Sequence, residues 1–243
     1  MSLEQVRGWL REARHVAVLT GAGMSAESGV PTFRDAGSGL WSNFRPEELA
    51  TEDAFRARPQ FVWDWYVMRR EGVAKVQPNA GHLALAGWQR RHPGRLTLAT
   101  QNVDGLHQRA GSTGVLALHG NIVEDKWLDA PRPCCLSQPP QDGRPPRCAA
   151  CGNLRRPAVV WFGEMLPLEV LAAAQDAAAQ CDLMLVVGTS GMVYPAAGLA
   201  RTAACHGRMV VVNPEASELD DAAHVVLRGT AATLLPRLLE EPS

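Results

Sequence analysis

Apolar residues along this chain gather into short runs that end in polar tips. "HVAVLT" (15–20), "RLTLAT" (95–100), "VLALH" (115–119), "AVVWF" (158–162), "DLMLVVG" (182–188), "RMVVVN" (208–213) and "HVVL" (224–227) all have this character. Runs so continuously apolar suit strands buried on both faces, as in parallel sheets. Between several of them the spacing becomes helical, over Leu166 to Ala179, Tyr194 to Cys205 and Ala231 to Glu240, and an amphipathic helix opens the chain with Ser2 and Gln5 as its capping box. The alternation predicts an α/β fold: a doubly wound, parallel, Rossmann-like sheet covered by helices on both faces, with ligands at the carboxyl ends of its strands.

Two stretches break the rhythm. Residues 46–92 read as helices without a strand, and residues 127–157 are rich in Pro, Arg and Cys with little apolar periodicity. Both are expected to be insertions that build a smaller lobe over the sheet. The remainder, 1–45, 93–126 and 158–243, would form the Rossmann-like core of a single catalytic domain. Composition adds exclusions: 24 basic against 25 acidic side chains leave no charge surplus to drive binding to nucleic acid or anionic membranes. No apolar run reaches the roughly 20 residues that cross a bilayer, so a cytoplasmic protein is expected; a monomer is the separate expectation for its assembly. Of the six cysteines, four lie between Cys134 and Cys151, which suggests metal rather than a disulfide framework; Cys181 and Cys205 border apolar segments.

Candidate chemistry begins at "VAVLTGAGMSAESGVPTFRD", where a strand turns through Gly21, Ala22, Gly23 and Ala26 in the dinucleotide pattern G-x-G-x-x-G/A. Glycines there let backbone approach a pyrophosphate. A hydride-transfer enzyme would continue the helix into a second strand ending in a ribose-binding acid. Here Gly29 and Pro31 stop the helix early, and Glu47 and Glu48 follow no apolar strand. "TQNVDGLH", "LHGN", "GTS" and "NPE" each follow an apolar strand, so four more polar tips would converge on one crevice.

With "GAGMSAESGVPTFR", "QNVDGLH", "LHGN", "VVWFGE", "VVGTSGMVYPAA" and "VVNPE" in this order from Val16 to Ala231, the sequence resembles the sirtuin family of NAD-dependent protein lysine deacylases. The resemblance implies that the acyl oxygen of a modified lysine attacks the ribose carbon bearing nicotinamide, giving an imidate that ends as free lysine and O-acyl-ADP-ribose. A ribose hydroxyl must lose a proton on the way, and His119 is the candidate base; His107 is taken as structural. Asp104 would bind the carboxamide, Asn102 would orient the ribose and a water, and Gln101 would line the pocket. The first loop would contribute Gly21, Ala22, Gly23, Ala26, Glu27, Pro31, Thr32, Phe33, Arg34 and Trp41, with Phe33 shielding the reactive carbon from water. Gly188, Thr189, Ser190, Asn213, Pro214, Glu215 and Ala231 would meet the adenosine half. Val160, Trp161, Phe162, Gly163 and Glu164 resemble the stretch that pairs with an extended substrate peptide.

"WDWYVMRR" (63–70) bears on the acyl group. On a helix Tyr66 and Arg69 are an i, i+3 pair beside an apolar stripe of Phe61, Trp65 and Met68. Y-x-x-R at this place resembles the bacterial class III subgroup that removes succinyl and malonyl groups. A guanidinium can take the terminal carboxylate bidentately while the phenol adds a third contact. Arg70 is a competitor for that role, and Ala50 resembles the small residue that leaves room for the chain. "CAACG" (148–152) has the form of a zinc knuckle, but Trp127 and Ala130 stand where the family carries its other cysteine pair. Zinc on Cys148 and Cys151 with Cys134, Cys135 or both is one reading, although adjacent cysteines rarely both reach one ion. Free thiols held by packing are the other. ADP-ribosyl transfer or NAD hydrolysis by the same site, and a non-catalytic NAD or ADP-ribose binding module, are the alternatives in function.

Overall fold

The computed structural model describes residues 3–31 and 48–240. In chain order the elements begin with α1 (Leu3–Glu12), β1 (Val16–Thr20), α2 (Glu52–Ala57), α3 (Pro59–Lys75), α4 (Ala80–Arg91), β2 (Leu96–Thr100), α5 (Leu106–Arg109) and β3 (Leu116–Ala117). They continue with β4 (Gly120–Trp127), α6 (Pro133–Ser137), β5 (Arg155–Val159), α7 (Leu168–Gln180), β6 (Leu183–Val187), α8 (Ala196–Ala204), β7 (Arg208–Val212), β8 (Val225–Leu227) and α9 (Ala231–Leu239). Among the described residues no helix is long and apolar enough to cross a membrane.

The chain packs as two compact units, 1–32 with 76–119 and 166–243, and 33–75 with 120–165. In the first, six parallel strands run in the order β3-β2-β1-β6-β7-β8, the doubly wound arrangement expected from the pattern. Alternate side chains of each strand feed two cores. Val16, Val18, Leu98, Leu185 and Val210 pack with Val6 and Leu10 of α1, Leu85 and Trp88 of α4 and Leu235 and Leu238 of α9. Ala17, Leu19, Met184, Val186 and Val211 pack with Ala174 and Ala178 of α7 and Leu199 and Ala203 of α8.

The unit boundaries differ from those the pattern suggested. α4 joins the sheet unit because Leu85 and Trp88 complete its core. "AVVWF" is not a strand of the parallel sheet: β5 pairs antiparallel with β4, through a register shift between Asn121 and Asp125, to make the two-stranded ribbon of the second unit. That unit's interior is Leu49, Phe55, Val62, Trp63, Trp65, Tyr66, Val73, Ile122, Val159 and Trp161.

At the reversal of strand order, between β1 and β6, the loops that follow these two strands touch backbone to backbone. A Cβ on Gly23 would stand 2.8 Å from Gly188 Cα, and one on Gly21 would stand 2.8 Å from the Gly188 carbonyl oxygen. Gly188 has φ of 61° and faces Met24 N and Gly23 C, so it lacks room and the permitted backbone conformation for any side chain. The glycines that suggested a pyrophosphate cradle thus have a structural task in loop-on-loop contact. Gly188→Ala is expected to cost about 3 kcal/mol, the sum expected from a strained left-handed residue and an overpacked contact. A lower urea midpoint at unchanged slope would register it.

Candidate functional site

After β1 the chain does not enter a long helix. Two short 3-10 turns follow, Ala22–Met24 and Ala26–Ser28, and Gly29 ends them at φ 88°. This brings Ser25, 1% exposed, over the end of β2. Its hydroxyl donates to Asp104 Oδ2 at 2.7 Å and accepts from Asn102 Nδ2 at 3.1 Å. His82 Nε2 lies 3.4 Å from the same oxygen. Since the one Ser25 proton points to Asp104, His82 is the donor, and its Nδ1 accepts from Asn79 N at 3.3 Å in the capping box of α4. The second Asp104 oxygen accepts from Leu106 N at 2.9 Å. Neither Ser25 nor His82 was singled out in the sequence. The Asn79 capping box at the start of α4 is a local feature and does not reveal that His82 reaches Ser25.

Beneath this lies a second relay. Thr20 Oγ1 donates to Thr100 Oγ1 at 2.8 Å, so His107 Nε2, 3.0 Å from Thr20 Oγ1, carries a proton and donates. Thr100 Oγ1 also accepts Asn102 N at 3.1 Å. The His82 and His107 rings sit 4.8 Å apart, and burial lowers them to about 4 and about 3.

The other strand tips are stitched in turn. His119, after β3, has Nδ1 2.9 Å from the Gln101 carbonyl. A carbonyl only accepts, so Nδ1 bears the proton and Nε2 keeps its lone pair. Burial lowers the His119 pKa, and the Gln101 carbonyl partly offsets this. Gln101 Nε2 donates to Thr189 Oγ1 at 3.1 Å, and Asn213 Nδ2 to the Thr189 carbonyl at 3.4 Å. Ser190 Oγ accepts Met192 N at 3.4 Å. Pro214 and Glu215 are exposed, and Arg228 holds the Glu215 carbonyl at 2.6 Å. Glu27 serves as a cap: its carboxylate accepts Ala232 N at 3.0 Å in the first turn of α9, next to Ala231. Pro31 is exposed, whereas Thr32, Phe33, Arg34 and Trp41 lie outside the described residues, as do Ser2 and Glu47. Glycine backbone beside hydroxyl, amide and carboxylate tips is a donor set that fits the diphosphate, ribose and carboxamide of NAD.

In the second unit Tyr66 is buried at 2% exposure, and burial raises its pKa. Its Oη accepts from Trp161 Nε1 at 2.9 Å, and Trp65 packs edge-on at 4.7 Å. Arg69 lies over the Trp65 ring at 4.8 Å and over Tyr66 at 5.8 Å. The expected apolar stripe is different: Phe61 and Met68 are 37% and 41% exposed, while Val62, Trp65, Tyr66 and Val73 face inward. The reason is the second unit's interior, which takes the i, i+3, i+4 face centred on Tyr66. Arg70 is engaged elsewhere. It donates to the Ile122 carbonyl at 2.5 Å and the Glu124 carbonyl at 3.1 Å, and pairs with Asp125 at 2.5 Å, tying α3 to β4.

Ala50 is buried, and its carbonyl accepts Phe162 N at 2.9 Å. Val160 to Glu164 do not extend β5 but form the turn after it. Trp161 N donates to Glu164 Oε2 at 2.9 Å, and Glu164 N to the Trp161 carbonyl at 3.0 Å. The Trp161 side chain, 1% exposed, is thus an interior group and the Glu164 carboxylate, ion-paired with Arg156, is partly buried, leaving Phe162 and Gly163 at the surface.

Cys134, Cys135, Cys148 and Cys151 bring their four sulfurs within 4.8 Å of one another. Zinc held tetrahedrally at about 2.3 Å per sulfur needs sulfurs about 3.8 Å apart, so the donor set fits. The adjacent pair both reach because they sit on the single turn of α6, and the Cys148 knuckle closes through Gly152 N to the Cys148 carbonyl at 2.9 Å. Backbone N–H groups of Cys151 and Ala150 bring the Cys148 thiol down to about 7, toward the thiolate a metal requires.

A profile of the Sir2 family matches residues 21–195. The chain is 58% identical over 236 residues to an NAD-dependent protein deacylase of Ralstonia nicotianae, covering 97% of this chain and 95% of the relative. An NAD-dependent protein deacylase of Deinococcus radiodurans is 48% identical, with 99% and 100% covered. Among solved structures, a Sir2 homolog–NAD complex has a TM-score of 0.86 at 42% identity, covering 97% of this chain and 92% of that one. A Sir2–p53 peptide–NAD+ complex has 0.83 at 31%, with 98% of each covered.

Two outcomes follow from the buried groups. The unfolded chain takes up protons on histidine below about 6.5, whereas the folded chain protonates His82 and His107 only near 4 and 3. Stability present above pH 6.5 is therefore lost as pH falls from there toward 3, and the melting temperature should drop between pH 7 and pH 4.5, less steeply in His107→Gln. Zinc should copurify in proportion to chain, and a strong chelator or Cys148→Ser should lower the melting temperature, as read by metal analysis and calorimetry.

Proposed function

The chain belongs to the Sir2 family, and on that premise we propose that it removes acyl groups from protein lysines with consumption of NAD, favouring succinyl and malonyl groups and also accepting acetyl. Bound NAD supplies a ribose that receives the acyl group as nicotinamide leaves. The backbone of Gly21, Ala22, Gly23 and Ala26 would hold the diphosphate. Gly188, Thr189, Ser190, Asn213, Pro214, Glu215 and Ala231 would hold the adenosine half. Asp104 and Asn102, both fixed by Ser25, would bind the carboxamide and orient the ribose.

The observation that supports this reading best is the His119 ring, tied through Nδ1–H to Gln101 so that Nε2 faces its task as a neutral base. Such a base acts above its pKa and is lost as pH falls through it. With that pKa lowered by burial, the acid limb of kcat/KM should lie below the ordinary histidine value. For the acyl end, Tyr66 and Arg69 share one face of α3, and the small Ala50 is buried in the same unit. Arg69 would take a terminal carboxylate bidentately and Tyr66 would donate a further hydrogen bond. The peptide backbone would run along the exposed turn at Phe162 and Gly163.

Acetyl, malonyl, succinyl and glutaryl forms of one peptide, assayed with NAD for free lysine and nicotinamide, test both halves. Succinyl and malonyl peptides should turn over fastest, His119→Ala should remove at least 100-fold of the rate, of the order expected for a lost general base, and Arg69→Met should abolish the acidic preference. Turnover without NAD would sink the deacylase reading, and an unchanged acyl preference in Arg69→Met would sink the carboxylate clamp.

A further inference from the structure

Arg156 is 1% exposed inside the second unit, and no step above uses it. Its guanidinium is paired with both Glu164 oxygens, Nη1 to Oε1 and Nη2 to Oε2 at 3.2 Å, and Nη2 also donates to the Val159 carbonyl at 2.7 Å. Its flat face lies 3.3 Å from the centre of the Trp161 ring. Glu164 in turn accepts the Trp161 backbone N–H and Lys126 Nζ at 3.5 Å. Trp161 is therefore held by its backbone through Glu164 and by its ring face through Arg156. Its indole N–H is then presented to Tyr66 Oη at 2.9 Å.

An indole N–H only donates, so Tyr66 Oη is the acceptor in this bond. The phenol has one proton of its own, and burial, by raising its pKa, keeps that proton in place. Among the described residues nothing accepts it. A cation over the indole face draws electron density from the ring and sharpens its N–H as a donor, which reinforces the direction of the bond.

We infer that Arg156 and Trp161 are positioning residues for acyl recognition: they fill the acceptor side of the Tyr66 hydroxyl and so dedicate its proton to an incoming carboxylate. This rests on the reading that Tyr66 and Arg69 receive the acyl group. A succinyl or malonyl terminus offers the acceptor that completes the chain of bonds, and an acetyl group offers none there. Without the indole N–H the phenol turns freely and its donated bond is no longer pre-set.

The test replaces the Trp161 indole by benzothiophene, which keeps the bicyclic shape but has no N–H, with Trp161→Phe as a second variant. Each is compared with Tyr66→Phe on succinyl and acetyl forms of one peptide at saturating NAD. The succinyl-to-acetyl ratio of kcat/KM should fall about tenfold, the factor for one hydrogen bond to a charged group, and mainly through KM. The benzothiophene exchange should change nothing further in the Tyr66→Phe background. A packing role alone would slow both substrates together and add to Tyr66→Phe, and that result overturns the inference. So does an unchanged ratio in the Trp161 variants when Tyr66→Phe lowers it. If Tyr66→Phe itself leaves the ratio unchanged, the acyl clamp falls first and takes this inference with it. Should Trp161→Phe fail to fold, the benzothiophene exchange decides alone.

Discussion

Everything at the strand tips depends on the closeness of two backbones, the turn after β1 and the turn after β6. Gly21, Gly23 and Gly188 let them meet with no side chain between. A chain pressed against its neighbour in this way cannot begin a full helix, so it coils through two short turns and comes back over β2. That return is what sets Ser25 above Asn102 and Asp104. A residue of ordinary size at any of the three glycines would separate the turns and displace the serine. The structural contact and the loop proposed to face the diphosphate are thus one feature seen from two sides.

A second regularity is that the buried hydroxyls have a defined direction. Ser25 sends its proton to Asp104 and receives from Asn102 and His82. Thr20 sends its proton to Thr100 and receives from His107. Tyr66 receives from Trp161. In a water-poor interior a reversed hydroxyl would leave a donor facing a donor, which costs far more than at a surface. Each chain of bonds therefore specifies the tautomer of a histidine or the free face of a phenol, and the neighbours that do so lie far away in sequence.

That distance explains what could be read from the chain beforehand. The parallel strands were legible because Leu183 to Val187 or Arg208 to Val212 carry almost no polar residue, and burial on two faces demands that. His119, Asn102 and Asp104 stood out as polar tips at strand ends. Ser25 did not, since a serine within a glycine-rich turn has a local explanation of its own. Arg156 was hidden by the rule that arginines lie outside; Glu164, the Val159 carbonyl and the Trp161 ring make it an exception. β5 was misassigned to the large sheet because its apolar run looks like the others, and run length says nothing about which strand lies alongside. Met68 and Phe61 were taken as packing residues on hydrophobicity alone, whereas the neighbours of α3 favour the Tyr66 face. Adjacent Cys134 and Cys135 looked unsuited to one ion until a single helical turn put both sulfurs on one side.

The bond from His119 Nδ1 to the Gln101 carbonyl has a further meaning for the traffic of protons. A ring anchored at one nitrogen has a single working nitrogen left. It cannot pass a proton through itself from one side to the other, as an imidazole relay would. Whatever Nε2 takes up it must give back on the same side, so the proton's exit is the route by which it entered. In the role proposed for it, its recovery between turnovers would then depend on water or a departing product reaching that one nitrogen, a gate with a single door.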